Sequence, residues 1–238
     1  MISEIESKRV ERTIKIKYNL ETNDPISKYK TFNELWSLPD YNEIVYLDCS
    51  GKSFTTLSNL PKSLRVLNCF NNRIIMLSNL PSSLEEFNCS CNQLEELPHL
   101  PDSLRVLNCS SNHLTKLSEI LPLNLKQLNC LGNEIFKLPE DLPVGLEELL
   151  CGCNKLTRLP AKLPTTLKIL DCNRNMDLKS LPIELPKNLD KLCCNACGLH
   201  HMSELPDKLR VLACDKNYFD YEYIEEIKKI KSIEILLI

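Results

Sequence analysis

Cys193-Cys194-Asn195-Ala196-Cys197, followed by His200 and His201, is where residue types and spacing in this 238-residue chain could do chemistry. A Cys-x-x-Cys pair is half of a tetrahedral zinc set, or a dithiol that cycles with a disulfide. Structural zinc takes four ligands, and no second half stands elsewhere at metal-binding spacing. The two histidines keep a zinc or redox role at Cys193, Cys194 and Cys197 open as the lesser alternative. The four histidines, His99, His113, His200 and His201, have neither zincin spacing nor a nucleophile to serve, so no general base is indicated. The five glycines form no phosphate-cradling loop. The expectation is a chain with no catalytic set, no resident metal and no cofactor.

The elements that must carry these residues absorb most of the cysteine signal. Eight times the chain repeats Pro-x-x-Leu-x-x-Leu-x-Cys-x-x-Asn-x-Leu-x-x-Leu, starting at Pro61, Pro81, Pro101, Pro122, Pro143, Pro164, Pro186 and Pro206. Residues 44–60 are a degenerate earlier copy, in which Leu47, Cys49, Phe54 and Leu57 keep the apolar register and Lys52 replaces the Asn. A period near 20 residues belongs to a stacked solenoid, in which each unit buries its apolar face only against its neighbours. Nine of the thirteen cysteines occupy one repeat position: Cys49, Cys69, Cys89, Cys109, Cys130, Cys151, Cys172, Cys194 and Cys214. Free cysteine is a small, readily buried hydrophobe, so this column belongs inside. Cys197 stands where other units carry Asn, and Cys193 points outward.

Parallel strands lie about 4.8 Å apart, beyond the roughly 3.5–4.5 Å between Cβ atoms that a disulfide prefers. Cys91 and Cys153 share an outward turn position three repeats apart, roughly 14 Å by the same spacing, and cannot pair within one molecule. Free thiols in a reducing compartment are expected.

Within each unit, Leu-x-x-Leu-x-Cys predicts a short parallel strand with Leu and Cys inward. The following Asn (Asn72, Asn92, Asn112, Asn133, Asn154, Asn175 and Asn217) turns the chain out, and its amide meets backbone groups that stacking would otherwise bury unpaired. The Leu-Pro segments predict an extended, polyproline-like convex side. The organisation expected is a cap over residues 1–43, nine repeats over 44–219, and a cap over 220–238. The first cap is a strand over 13–18 and a short helix over 32–38, with Thr31 as N-cap and Trp36 as a plug. The last is an amphipathic helix over 221–231, with Ile224, Ile227 and Ile230 on one face, then a closing strand.

The repeats resemble the leucine-rich repeat superfamily, and within it the short Leu-Pro-x class known from secreted effectors of pathogenic bacteria. The Asn-Cys-Ser variants with Leu-Pro flanks are also similar to repeat proteins of giant DNA viruses. The resemblance covers residues 44–217. It implies a parallel sheet on a concave face that binds another protein; the charged start and the free thiols set the expected address as the cytoplasm, a host's if the source is a pathogen or virus. Some bacterial relatives carry a ubiquitin-ligase domain with a catalytic Cys-x-Asp. No cysteine here is followed two residues later by Asp, so that activity is not carried over. A substrate-recognition part of a ubiquitin ligase remains the alternative, and Leu35-Trp36-Ser37-Leu38-Pro39 is faintly similar to an F-box.

A formal net charge of -3 supplies no field for holding nucleic acid. The first twelve residues lack the apolar stretch of a leader, and the apolar run at 235–238 is too short to span a bilayer. Asn88 and Asn108 are sequons, but a glycan within a strand would block the sheet.

Specificity is expected where the repeats differ, on the outward strand positions. One column reads Tyr46, Val66, Glu86, Val106, Gln127, Glu148, Ile169, Lys191. The next reads Asp48, Asn68, Asn88, Asn108, Asn129, Leu150, Asp171, Cys193, and a third begins Ser50, Phe70, Ser90, Ser110, Leu131. Apart from Asp48 and the three serines, these are the candidate partner-binding residues. Two apolar clusters emerge, Tyr46 with Val66 and Phe70, and Leu131 with Leu150 and Ile169. Exposed apolar groups ringed by polar ones are what interface anchors look like, although β-branched residues also simply suit strands.

Overall fold

A strand three residues long has room for one inward side chain between two outward ones, and each unit places its second Leu there. In the computed structural model, which describes residues 41–237 apart from 78 and 231, this becomes a parallel sheet. Its strands are β1 (Tyr46–Asp48), β3 (Val66–Asn68), β5 (Glu86–Asn88), β6 (Val106–Asn108), β7 (Gln127–Asn129), β8 (Glu148–Leu150), β9 (Ile169–Asp171), β10 (Lys191–Cys193), β11 (Val211–Ala213) and β12 (Ile235–Leu237). They pair in that order, ten in all, each in register with the next. Leu47, Leu67, Leu107, Leu128, Leu149, Leu170, Leu192 and Leu212 fill the central position, with Phe87 as the variant, and all are buried. The nine column cysteines lie two residues further on, all buried and all free. The molecule is a leucine-rich repeat solenoid with little helix.

Each unit begins with a turn that proline suits. Its fixed φ starts the bend, and its carbonyl accepts from the Leu three residues on, as Leu104 N–H to Pro101 O at 3.0 Å shows. The unit's Asn then stitches two neighbours together. Asn112 Nδ2 donates to the carbonyls of Cys89 and Cys109 at 3.0 and 3.1 Å. Its Oδ1 accepts the Leu94 N–H at 3.0 Å. Asn92, Asn133, Asn154 and Asn175 repeat this pattern, so a column of buried amides satisfies backbone groups with no water at hand.

Cys197 breaks that column in a compensated way. Its thiol donates to the Cys172 carbonyl at 3.1 Å, the bond an Asn amide would make. A thiol is a poor acceptor for the Leu178 amide. That unit is longer, at 22 residues from Cys172 to Cys194, and Leu178 N–H instead closes on Asn175 O at 3.0 Å. The extra residue therefore repairs the bond that the Asn-to-Cys change removes.

The convex side is largely extended, with one departure from expectation. β2 (Thr56–Leu57) and β4 (Met76–Leu77) pair as a short parallel ladder. Ser58 and Ser78 follow those strands, whereas Pro98 follows the equivalent Leu97 and has no N–H to extend the pairing.

The closing helix α1 (Tyr221–Lys228) is shorter than the periodicity predicts. Asp220 caps it by accepting Tyr223 N–H at 2.8 Å, and Lys229 ends it by closing on Glu226 and Ile227. Of the three isoleucines expected on its inner face, Ile227 is buried while Ile224 and Ile230 are half-exposed. The Tyr223 hydroxyl supplies the other anchor, accepting the Met202 N–H at 3.0 Å. The predicted strand over 13–18, the helix over 32–38 and the Trp36 plug lie outside the described residues.

Candidate protein-interaction surface

The first and third residues of every strand face away from the core, which brings the outward columns together on one concave sheet. The second column has a role that its composition hid. Asp48, Asn68, Asn88, Asn108, Asn129 and Asp171 each accept, through Oδ1, the N–H two residues on, at 2.9–3.2 Å. These are Asx turns that end the strands. Asn68 Nδ2 also donates to Asp48 Oδ2 at 2.8 Å, tying β3 to β1. The recurrence of Asn or Asp two residues before Ser, Phe, Leu or Asn was the available signal, and it points to scaffold as well as to surface.

Leu150 interrupts that column because it has no oxygen to offer. Gly152 follows at the turn, and a Cβ there would meet Asn173 O at 2.9 Å and Asp171 Oδ1 at 3.0 Å. The missing side chain lets the neighbouring Asp171–Asn173 turn close over it.

The two apolar clusters differ. Phe70, just beyond the end of β3, is 41% exposed, and Tyr46 and Val66, paired across β1 and β3, are half-buried. Leu131, Leu150 and Ile169 are each half-buried and form a diagonal across β7, β8 and β9. A depression of about 170 Å³ lies beside this diagonal, lined by Val106, Leu107, Asn108, Gln127, Leu128, Asn129, Glu148 and Leu150. Glu86, Gln127 and Lys191 are exposed, and Cys193 is half-buried on the same face. Ser90 is buried, with its hydroxyl bonded to Asn88 Oδ1 at 2.6 Å.

Along the leading edge of the sheet runs a ribbon of mixed charge. Arg65 pairs with Glu85 at 3.0 Å, Glu147 with both Lys168 at 2.6 Å and Lys126 at 3.9 Å, and Asp190 with Arg210 at 2.5 Å. A larger hollow of about 1000 Å³ lies among Glu147, Lys168, Asp190, Arg210 and Glu234. Glu147 with Lys168 and Asp190 with Arg210 are paired within it, and Glu148 and Asp207 line it as well. Exposed ion pairs of this kind contribute about 0–1 kcal/mol each, so the ribbon serves register and solubility more than stability. A further exposed apolar group, Ile120, Leu123 and Val144, stands off the concave sheet at 77–83% exposure and was not anticipated from the sequence.

The Cys-x-x-Cys segment does not assemble a site. Cys194 points into the core, Cys197 occupies the asparagine column, and Cys193 faces out. His200 stacks on Tyr218 at 5.3 Å and His201 meets the edge of Tyr223 at 5.7 Å. Among the described residues no three His, Cys, Asp or Glu side chains converge as a metal would require. Burial pushes the column thiols upward, to about 12 for Cys69, Cys130 and Cys214. Burial and the nearby Asp171 carboxylate raise Cys193 as well. Thiols raised in this way are held protonated and are poor nucleophiles and poor metal ligands, whereas its hydrogen bond with Cys172 lowers Cys197.

No family model and no curated protein matches the chain. Among solved structures it is similar to YopM from Yersinia enterocolitica WA-314, with 26% identity over 84% of this chain and 60% of that one and a TM-score of 0.52. It is similar also to YopM of Yersinia pestis, described as a leucine-rich effector protein, with 28% identity over 82% of this chain and 61% of that one and a TM-score of 0.70. A Shigella effector leucine-rich repeat domain shares the fold, at 24% identity over 87% of this chain and 92% of that one, with a TM-score of 0.60. The chain thus spans about 60% of the length of the two YopM structures. Among the described residues no helix is long and apolar enough to cross a membrane.

Proposed function

We propose that this chain is a non-enzymatic protein-interaction module that holds a partner protein on its concave sheet. One observation carries the reading: the inward Leu, Cys and Asn positions hardly change between units, while the first outward column changes class from strand to strand, through Tyr46, Val66, Glu86, Val106, Gln127, Glu148, Ile169 and Lys191. A constant scaffold that varies along an exposed strand position is suited to presenting that face. Its similarity to effector proteins supports an effector-like role, and the Leu-Pro pairs support membership of the short Leu-Pro-x class. Ten buried free thiols suit the reducing cytoplasm, a host's if the source is a pathogen or virus. The first and second outward columns carry Asp48, Glu86, Glu148 and Asp171 against the single base Lys191, which favours a protein partner over nucleic acid.

The test is a Phe70→Ala, Leu150→Ala double variant that keeps its cooperative unfolding. Anchor residues cost more than about 1 kcal/mol each on truncation, so affinity for a captured partner should fall by at least about tenfold. Unchanged affinity would move the site off this face. A thioester with ubiquitin on any cysteine would overturn the non-enzymatic reading in favour of a ligase component.

A further inference from the structure

We infer that the depression over β6, β7 and β8 receives one cationic side chain, lysine or arginine, from an extended segment of the partner. This deepens the proposed function and rests on it. The size of the depression comes first. At about 170 Å³ it falls below the ~300–1,000 Å³ of small-molecule sites and suits a single side chain.

Its chemistry comes second. Val106 and Leu150 supply apolar wall and Glu148 a carboxylate, which together match a side chain with a methylene stem and a charged tip. Among the described residues Glu148 has no ion-pair partner, and Lys168 across the leading edge is held by Glu147 at 2.6 Å. Within the sheet the outward columns share the sign, while Arg105 and Lys126 stand just before β6 and β7. On β1 to β9 the first and second outward columns carry Asp48, Glu86, Glu148 and Asp171 and no lysine or arginine.

Asn108 and Asn129 define the rest of the ligand. Their Oδ1 atoms already accept the Ser110 and Leu131 amides at 3.2 and 3.1 Å, so they present NH₂ donors to the face. Those donors suit the backbone carbonyls of an extended chain and leave the charge to Glu148. A lysine or arginine flanked by residues in extended conformation satisfies both demands.

The probe is a set of capped pentapeptides, acetyl-Thr-Val-X-Val-Thr-amide, with X as Lys, Arg, norleucine or Glu. The readout is amide chemical-shift perturbation in the ¹⁵N-labelled full chain. Lys and Arg peptides should shift Gln127, Asn129 and Leu150 and bind more tightly than norleucine, and the Glu peptide should not bind. Glu148→Gln should weaken the Lys peptide about fivefold and leave norleucine unchanged. Added salt should weaken only the charged peptides.

Equal binding of Lys and norleucine, or indifference to Glu148→Gln, with shifts still confined to the concave amides, would overturn the cationic pocket and leave concave binding standing. Shifts confined to the leading-edge ribbon or to the region of Leu123 and Val144 would overturn both. No perturbation by any peptide would overturn the pocket alone, since the double-variant capture experiment judges the face independently.

Discussion

Single residues in this chain act through position more than through chemistry. Asn112 is 5% exposed and holds four backbone groups of two units. Replacing it with Ala strands those groups without water, and a stranded group costs about 1–3 kcal/mol. Partial relaxation brings the expected loss for Asn112→Ala to about 3 kcal/mol, read as a lower midpoint in urea. The cysteines make a second claim at this scale. The folded thiols of Cys69, Cys130 and Cys214 titrate near 12, raised by burial from an ordinary value of 9.0. Between those values the unfolded chain binds fewer protons than the folded one, so stability falls as pH rises. The contribution is fully present below about pH 9 and is lost toward pH 12. A urea series across that window should show the decline, steeper than in a variant with Cys69 and Cys130 replaced by Ala. A flat profile would mean these thiols are not buried as described.

At the scale of elements, the strands were legible because Leu, Cys and Asn recur at fixed offsets, and the burial follows them unit by unit. What escaped was set by details below the repeat. The β2–β4 pair depends on Ser standing where a later unit has Pro98. The turn at Asn175 depends on one extra residue meeting one missing amide. The Asx turns made the outward Asn column part of the scaffold, which composition alone assigned to the surface. The end of α1 was overestimated because Ile230 continues the apolar spacing after the backbone has already turned at Lys229. Ile227 is therefore the helix's buried apolar anchor. Ile227→Ala should cost about 2–4 kcal/mol, and hydrogen exchange should quicken first in β12, which α1 connects to β11. Uniform quickening along the whole sheet would show instead that the end unit is not a separate opening unit.

For the whole molecule, a stack of near-identical units leaves function to the few positions that differ. On the concave face proposed for binding, Phe70, Leu131 and Leu150 depart from the polar pattern around them, and Glu148 adds a carboxylate. The rival is the group of Ile120, Leu123 and Val144, which is more exposed than Phe70 and lies off that sheet. Exposure alone would favour the rival; the grouping of apolar, amide and carboxylate side chains beside one depression favours the concave face. Photo-crosslinking decides between them. A benzophenone amino acid is placed at Phe70 or Leu131 in one pair of variants, and at Leu123 or Val144 in another. Crosslinks to a common partner from the first pair and none from the second are the result expected. A partner joined through Leu123 or Val144, with none at Phe70 or Leu131, would contradict concave-face binding.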